Sequence, residues 1–231
     1  MKLNKHCFFP SLQASMQLLI KQLSNRKVQI VGLFACFLLT GACSNEMSLS
    51  KVSSVAVNRI TNTELAFEDG RTLPLQFSAE DSRYLLVRHA EKKVDSNDPG
   101  LTAKGAQRAA HLAEILAGIK VNRVYSTLTQ RTIATGRPLV QSQGAKLYSY
   151  DAAQLDSLAI DLLTTGRGKT TLIVGHSNTT PELAGLLSGR DDLPKMPEIE
   201  YDRLYYIIRG TGGEVQLFPL RFTPPMLENT Q

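Results

Sequence analysis

The sequence predicts a three-layer α/β/α fold, in which a mainly parallel central sheet lies between two layers of helices, with a small N-terminal β extension. Two observations predict this fold class. Short apolar runs typical of buried strands alternate along the chain with segments of helical periodicity. A helix between successive strands is the pattern of βαβ units, which places the strands parallel and the helices on both faces of the sheet.

The predicted elements of the main domain begin at an apolar strand, residues 84–87. Thr102 is a preferred N-cap residue, and the apolar stripe behind it predicts a helix over 102–116 that Gly118 ends. A short apolar run at 123–125 predicts the second strand.

The following segments continue the alternation. A helix is expected over 131–142, bent at Pro138, because proline removes one helical hydrogen bond. Pro181 lies in the first turn of the last predicted helix, a position that proline favours. The remaining predictions are strands at 146–150, 171–174, 204–208 and 214–218 and helices at 155–163 and 180–187, the last two strands being joined by the glycine-rich turn 210–213.

Residues 1–43 have the pattern of a secretory leader. Arg26 and Lys27 precede an apolar run of about a dozen residues, which is short for a membrane span and typical of a signal peptide. The run ends in Leu-Thr-Gly-Ala-Cys43, which resembles the lipobox of bacterial lipoproteins. That resemblance implies cleavage before Cys43 and a lipid on its sulfur, and Ser44 after it implies an outer-membrane protein facing the periplasm. Secretion without a lipid and an uncleaved anchor are the alternatives, and Met16 is an alternative start.

Three further segments follow the leader. Residues 44–54 are polar and serine-rich, as in a tether. Residues 55–80 alternate loosely around a Glu-Asp-Gly-Arg turn and predict the small β extension, as a hairpin. Residues 81–231 form the main domain. The 231-residue chain has only three cysteines, none of them after Cys43, so the mature chain would have no disulfide.

The charge balance argues against nucleic acid as a partner. The formal net charge is +5, but five basic residues and no acidic ones precede Cys43. The rest of the chain has 21 basic and 21 acidic residues. A nucleic-acid binder needs a basic surface on its folded part, and this balance does not favour one.

Two strand ends carry the residues with the most distinctive chemistry. Arg88 and His89 follow the strand 84–87, and Gly175 and His176 follow the strand 171–174. Ligand sites of open α/β sheets lie at the carboxyl ends of strands. A guanidinium binds phosphate through paired hydrogen bonds, and a neutral imidazole is a good nucleophile. The sequence therefore predicts a phosphate pocket.

Four ordered blocks in the main domain resemble the histidine phosphatase superfamily, which has the phosphoglycerate mutase-like fold. Residues 88–91 (Arg-His-Ala-Glu) resemble its Arg-His-Gly/Ala signature, and 100–105 its Leu-Thr-x-x-Gly helix start. Residues 126–135 resemble its Ser-x-x-x-x-Arg-x-x-x-Thr block, and 175–177 its second histidine block. The resemblance covers about residues 84–220.

The resemblance implies a division of roles. His89 would attack phosphorus and form a phosphohistidine, while Arg88, Arg131 and His176 would bind the phosphate oxygens. His176 is expected to act as a donor in its cationic form beside a dianionic ester. The leaving oxygen needs a proton, and Asp151, just after a strand, is the predicted general acid. Glu182 and Glu91 are the competing candidates for that role.

The expected function is hydrolysis of a small phosphorylated substrate at an envelope membrane, with the lipid on Cys43 as the membrane contact. No cofactor and no metal are expected, because arginines beside both histidines repel cations. Sugar phosphates, lipopolysaccharide phosphates, phosphohistidine proteins and nucleotides all fit these residues. Two alternatives are a non-catalytic lipoprotein that binds a phosphorylated ligand and a mutase-like phosphotransferase. Asp95, where the mutase branch has Asn, and Ser177, where another branch has Asp, depart from the family pattern.

Overall fold

The computed structural model of the chain describes residues 55–223. The predicted leader, the predicted lipidation site Cys43 and the predicted tether 44–54 therefore lie outside the described residues. Among the residues that are described, no helix is long and apolar enough to cross a membrane.

Nine strands and four helices make up the described part of the chain. The strands are β1 (Val57–Ile60), β2 (Glu64–Phe67), β3 (Thr72–Pro74), β4 (Ser82–Arg88), β5 (Arg123–Ser126), β6 (Lys146–Ser149), β7 (Thr170–Gly175), β8 (Arg203–Arg209) and β9 (Val215–Arg221). The helices are α1 (Ala103–Ile115), α2 (Gln130–Gln143), α3 (Leu155–Thr165) and α4 (Thr179–Ser188). Every strand and helix predicted for the main domain is present.

The central sheet has six strands in the order β6-β5-β7-β4-β8-β9. The first four are parallel to one another, and β8 and β9 are added antiparallel to them. The predicted mainly parallel sheet is therefore confirmed. Since β4 and β7 are neighbours in parallel register, their carboxyl ends lie side by side.

The strand β4 shows why helices cover both faces of this sheet. Leu85 and Val87 pack into one hydrophobic cluster with Leu112 of α1, whereas Tyr84 and Leu86 pack into a second cluster on the other face. The second cluster includes residues of α3 and α4. Alternate residues of a strand point to opposite faces, so an uninterrupted apolar run needs a helical layer on each side.

Capping residues explain the start of α1 and the end of α2. The Thr102 side chain accepts a hydrogen bond from the Gly105 amide at 3.0 Å, as an N-cap should. The second helix, α2, contains Pro138 and ends at Gly144, whose φ of 64° is left-handed and favours glycine. Local chemistry therefore explains where α1 begins and where α2 ends.

The N-terminal extension differs from the predicted hairpin. It is a three-stranded antiparallel sheet, β1-β2-β3, with the Glu68–Arg71 turn joining β2 and β3 as expected. The additional strand is β1, which pairs with β2 across a second turn at residues 61–63 that the loose alternation did not indicate. Val57, Leu65 and Phe67 are buried in the same cluster as Leu112 of α1, so this sheet shares the core of the main domain.

Candidate active site

Two histidines meet where β4 and β7 end. Arg88 lies opposite Gly175 in the parallel register, and the His89 amide donates to the Gly175 carbonyl at 2.9 Å. The two strands therefore deliver His89 and His176 to the same point, with ring centroids 5.5 Å apart. The structure brings together the two strand ends that the sequence singled out.

His89 is held as a neutral imidazole with one free nitrogen. Its Nδ1 lies 2.8 Å from the Ala90 carbonyl oxygen, which can only accept, so Nδ1 carries the proton and Nε2 has a free lone pair. Burial and the positive charges of Arg88 and Arg131 together lower the pKa of His89 to about 4, against the opposing effect of the Ala90 hydrogen bond. At neutral pH the ring is therefore unprotonated at Nε2, as a nucleophile requires.

The second and third sequence blocks hold the backbone after His89. The Ala90 amide donates to Thr135 Oγ1 at 3.0 Å, and that hydroxyl donates to the Arg131 carbonyl at 2.8 Å. The Thr102 amide donates to the Glu91 carbonyl at 2.9 Å. Gly105 packs so closely on the Glu91 backbone that a Cβ would overlap it. The blocks therefore position the nucleophile as well as the phosphate ligands.

His176 has a different environment from His89. The ring is half-buried, and Nε2 lies 3.1 Å from Thr127 Oγ1. A Cβ on the preceding Gly175 would come within 2.8 Å of the Thr180 hydroxyl, which explains the glycine. Burial, followed by the charges of Arg131 and Arg88, lowers the pKa of His176 and favours the neutral ring. The cationic form expected from the sequence would need a bound phosphate dianion to stabilise it.

Arg88 uses most of its donors on another segment of the protein. Its Nη1 donates to the carbonyls of Pro197, Glu198 and Glu200 at 2.9–3.1 Å, and its Nη2 donates to the Glu198 carboxylate at 2.8 Å. The Tyr201 ring lies 4.3 Å from the guanidinium carbon. The buried Nε has no hydrogen-bond partner among the described residues. Arg88 thus anchors residues 197–201 beside His89 and, within the described part of the chain, keeps its buried Nε–H unpaired.

Arg131 lies in the first turn of α2, as predicted. Its Nη1 is 3.4 Å from Asp98 Oδ1, and the same carboxylate accepts the Gln130 amide at 3.0 Å. Its Nε is also buried without a partner among the described residues. Asp98 therefore orients both the helix start and the arginine. The two arginines have one unused buried N–H each.

The candidate general acids differ in their surroundings. Glu91 accepts two hydrogen bonds from Arg108, at 2.9 and 2.7 Å; burial acts to raise the pKa of Glu91, but these bonds outweigh it and lower the pKa. Glu91 is therefore a poor proton donor. Glu182 lines a groove of ≈ 700 Å³ that contains none of the phosphate-binding residues predicted from the sequence.

Asp151 lies closest to the predicted role. It is exposed and lines a cleft of ≈ 550 Å³ together with His176 and Thr127. Its carboxylate also accepts the Ala153 amide at 2.9 Å, as in an Asx turn. The residue therefore serves a local turn and faces the cleft at the same time.

Three residues next to the pocket were not identified from the sequence. Asp98 lies in a loop with no periodicity, and nothing in the local pattern distinguishes it. Glu198 and Tyr201 lie in the segment before β8, and their only sequence signal is a Glu-Ile-Glu-Tyr-Asp run that mixes acidic and aromatic residues. Across residues 55–223, no group of three or more His, Cys, Asp or Glu side chains is arranged to hold a metal ion.

Comparison with known families agrees with this geometry. Residues 84–158, which include Arg88, His89, Arg131 and Asp151, match the family model of the histidine phosphatase superfamily (branch 1). Over these residues the chain resembles the histidine phosphatase superfamily. A search among curated protein sequences finds no match.

Solved structures with the same fold include two mycobacterial proteins. One is a glucosyl-3-phosphoglycerate phosphatase, 13% identical with a TM-score of 0.52; the match covers 62% of this chain and 100% of that protein. The other, named mycobacterial hydrolase 2, is 12% identical with a TM-score of 0.52 over 64% of this chain and 94% of its own. At such identities the likeness shows the fold alone.

Proposed function

We propose that this protein is a histidine phosphatase superfamily member, a phosphomonoesterase that forms a phosphohistidine on His89. The observation that carries the proposal is the state of His89, a neutral buried imidazole with Nε2 free. Arg88 and Arg131 beside it each have a buried Nε–H with no partner among the described residues. A phosphoryl group at Nε2 would satisfy both donors, since guanidiniums bind phosphate oxygens well.

The first step transfers the phosphoryl group to the protein. The lone pair of His89 Nε2 forms a bond to phosphorus, and the bond from phosphorus to the ester oxygen breaks. Arg88, Arg131 and His176 compensate the charge on the non-bridging oxygens, which is the main requirement of phosphoryl transfer. Asp151 gives its proton to the departing alkoxide.

The second step returns the free enzyme. Water attacks the phosphorus of the phosphohistidine, the bond from phosphorus to Nε2 breaks, and the Asp151 carboxylate takes a proton from the water. Inorganic phosphate then leaves. The Nδ1–H of His89 stays on the Ala90 carbonyl throughout, so the ring keeps one orientation in both steps.

The decisive experiment uses the full-length chain purified in mild detergent. We expect turnover of p-nitrophenyl phosphate, inhibition by vanadate as a mimic of the pentacoordinate phosphorus, and little effect of EDTA. Acid-quenched protein should carry an acid-labile phosphate on His89 by mass spectrometry. Strong EDTA inhibition reversed by a divalent ion, or turnover without a phosphohistidine, would contradict the mechanism.

We further propose that the protein is attached to the bacterial envelope through a lipid on Cys43, facing the periplasm from the outer membrane. The support is the short apolar run and the small residues before this cysteine. Cells given an alkyne-palmitate analogue should label the wild-type protein and not the Cys43→Ser variant. Equal labelling of the two proteins, or no labelling of either, would overturn the lipid anchor.

A further inference from the structure

We propose that the cleft beside His176 selects phosphomonoesters whose alcohol part is uncharged or cationic. This inference rests on the proposed phosphomonoesterase activity and names the substrate class of the same site. It depends on where the acidic and basic side chains lie around the pocket.

The cleft is the available space for the alcohol part of a substrate. It has a volume of ≈ 550 Å³ and includes His176, one of the predicted phosphate ligands, so a phosphate ester bound there can extend into it. Its walls are mostly hydroxyl and apolar groups. They are formed by Thr127, Leu128, Thr129, Ser149, Tyr150, Asp151, Ala152 and His176.

Among these lining residues Asp151 is the one acidic residue, and none is lysine or arginine. The hydroxyl groups can bind the hydroxyls of an alcohol or a sugar. A carboxylate or a second phosphate in the cleft would have no lysine or arginine among the lining residues to pair with it.

The two arginines are themselves partly neutralised by carboxylates. Arg88 Nη2 is 2.8 Å from Glu198, whose other oxygen accepts the Ser177 hydroxyl at 3.0 Å. Arg131 Nη1 is 3.4 Å from Asp98. Each arginine therefore has its Nε–H available for the transferred phosphate, while one of its Nη atoms is paired with a carboxylate of the protein. A second anionic group would compete with those acids.

Lys195, a cation on the Glu198 side of the pocket, does not line the cleft. The charge of Lys195 helps to lower the pKa of Glu198, after the Ser177 hydrogen bond and the Arg88 charge. However, Lys195 lines the separate groove that contains Glu182, and it is not among the residues of the cleft. An anionic alcohol part in the cleft therefore has no basic partner there.

The test compares substrates that differ only in charge. Glycerol 3-phosphate and 3-phosphoglycerate differ by a CH₂OH group against a carboxylate. Phosphoethanolamine and O-phosphoserine likewise differ by one carboxylate. With the full-length protein in detergent, kcat/KM should be about tenfold or more higher for the member of each pair without the carboxylate, the size expected for one repulsive contact of this kind. Added salt should reduce that ratio, because it screens charges near the surface.

Charge-removing variants connect the preference with the cleft. Glu198→Gln should reduce the glycerol 3-phosphate to 3-phosphoglycerate ratio several-fold, because it removes the carboxylate charge that pairs with Arg88. The ratio is the readout, because a general loss of activity lowers both substrates together. Asp156→Asn, an exposed acid of α3 that does not line the cleft, removes the same charge and should leave the ratio unchanged.

The outcomes separate this inference from the proposed function. Turnover of p-nitrophenyl phosphate combined with equal or better use of the carboxylate-bearing substrates would overturn the charge selection and leave the phosphomonoesterase intact. The same holds if Glu198→Gln does not alter the ratio. An absence of turnover for every ester, p-nitrophenyl phosphate included, would overturn the proposed function and this inference with it.

Discussion

The two strand-end histidines of this chain begin from nearly the same sequence context and end in different chemical states. Each follows an apolar parallel strand, and their strands are neighbours in the sheet. His89 is almost fully buried and donates through Nδ1 to a carbonyl, whereas His176 is half-buried and has its Nε2 against the Thr127 hydroxyl. The hydrogen-bond partner therefore decides which ring nitrogen is free.

This difference assigns the roles. A carbonyl partner fixes one tautomer, which frees His89 Nε2 for attack. A hydroxyl can donate or accept, so the ring of His176 can adjust its proton to what is bound beside it. His89 thus has the state that the proposed nucleophile needs, and His176 is suited to its proposed role as a donor to a phosphate oxygen. The following predictions can break or sharpen that division.

The largest effect is expected for His89→Ala. Turnover of every phosphomonoester should fall by about 10⁴-fold or more, because the covalent route disappears with the nucleophile. Circular dichroism should report an unchanged fold. Mass spectrometry of acid-quenched samples should find phosphohistidine in the wild type and none in the variant. Phosphate that moves to His176, or persists in His89→Ala, would reverse the two roles.

Replacing Asp151 should affect substrates unequally. Asp151→Asn should slow alkyl phosphates by roughly 10²–10⁴-fold, the usual contribution of a general acid. The same variant should affect p-nitrophenyl phosphate much less, because nitrophenolate leaves without a proton. His89 cannot supply this proton, because it gives its lone pair to phosphorus.

The control for this prediction is Asp156→Asn, which should leave both rates unchanged. If Asp151→Asn slows both substrates alike, a folding or binding defect explains the loss. Glu182→Gln is then the next variant for the same comparison, whereas the ion pair of Glu91 with Arg108 makes Glu91 the weaker candidate.

His176→Ala should have a smaller effect than loss of the nucleophile. Removing one donor to the non-bridging oxygens should cost roughly 10²–10³-fold in kcat. Phosphohistidine should still form on His89 in this variant. His176→Gln keeps an N–H donor and should recover part of the loss. A variant His176→Ala with no phosphohistidine on His89 would show that the two rings act as one unit.

The sequence predicted the elements of the main domain well because each depends on local chemistry. Apolar runs, the Thr102 cap and the glycines at helix ends all act over a few residues. The predicted phosphate-binding residues could also be found from the sequence, because parallel strands bring their carboxyl ends to one edge of the sheet and the family blocks lie there.

The pairing around the arginines could not be predicted in the same way. The acceptors of Arg88 lie more than a hundred residues away, and several of them are backbone carbonyls that no side-chain pattern reveals. Asp98 reaches Arg131 from a loop without periodicity. The sequence assigned Arg88 wholly to phosphate, whereas its guanidinium mainly ties the segment 197–201 to the strand end.

The smallest predicted effect concerns stability and pH. Burial, with Arg88 and Arg131, places the pKa of folded His89 at about 4, below the ordinary value of 6.5. Between these two values the unfolded chain binds a proton that the folded chain does not. Stability should therefore fall as the pH drops from 6.5 to 4, and this contribution should be level outside that window.

Urea unfolding of the full-length protein at pH 7 and pH 4.5 measures this contribution. His89→Asn keeps a side-chain donor for the Ala90 carbonyl and removes the titrating ring, so it should lose roughly 2 kcal/mol less stability than the wild type between the two pH values. His111→Asn, a control on α1 where the ring contacts Glu114, should not reduce the loss in this way.

If His89→Asn and the wild type lose the same stability, His89 accepts a proton in the folded protein as readily as in water. In that case burial does not keep its ring neutral, and the contrast between the two histidines depends on hydrogen bonding alone.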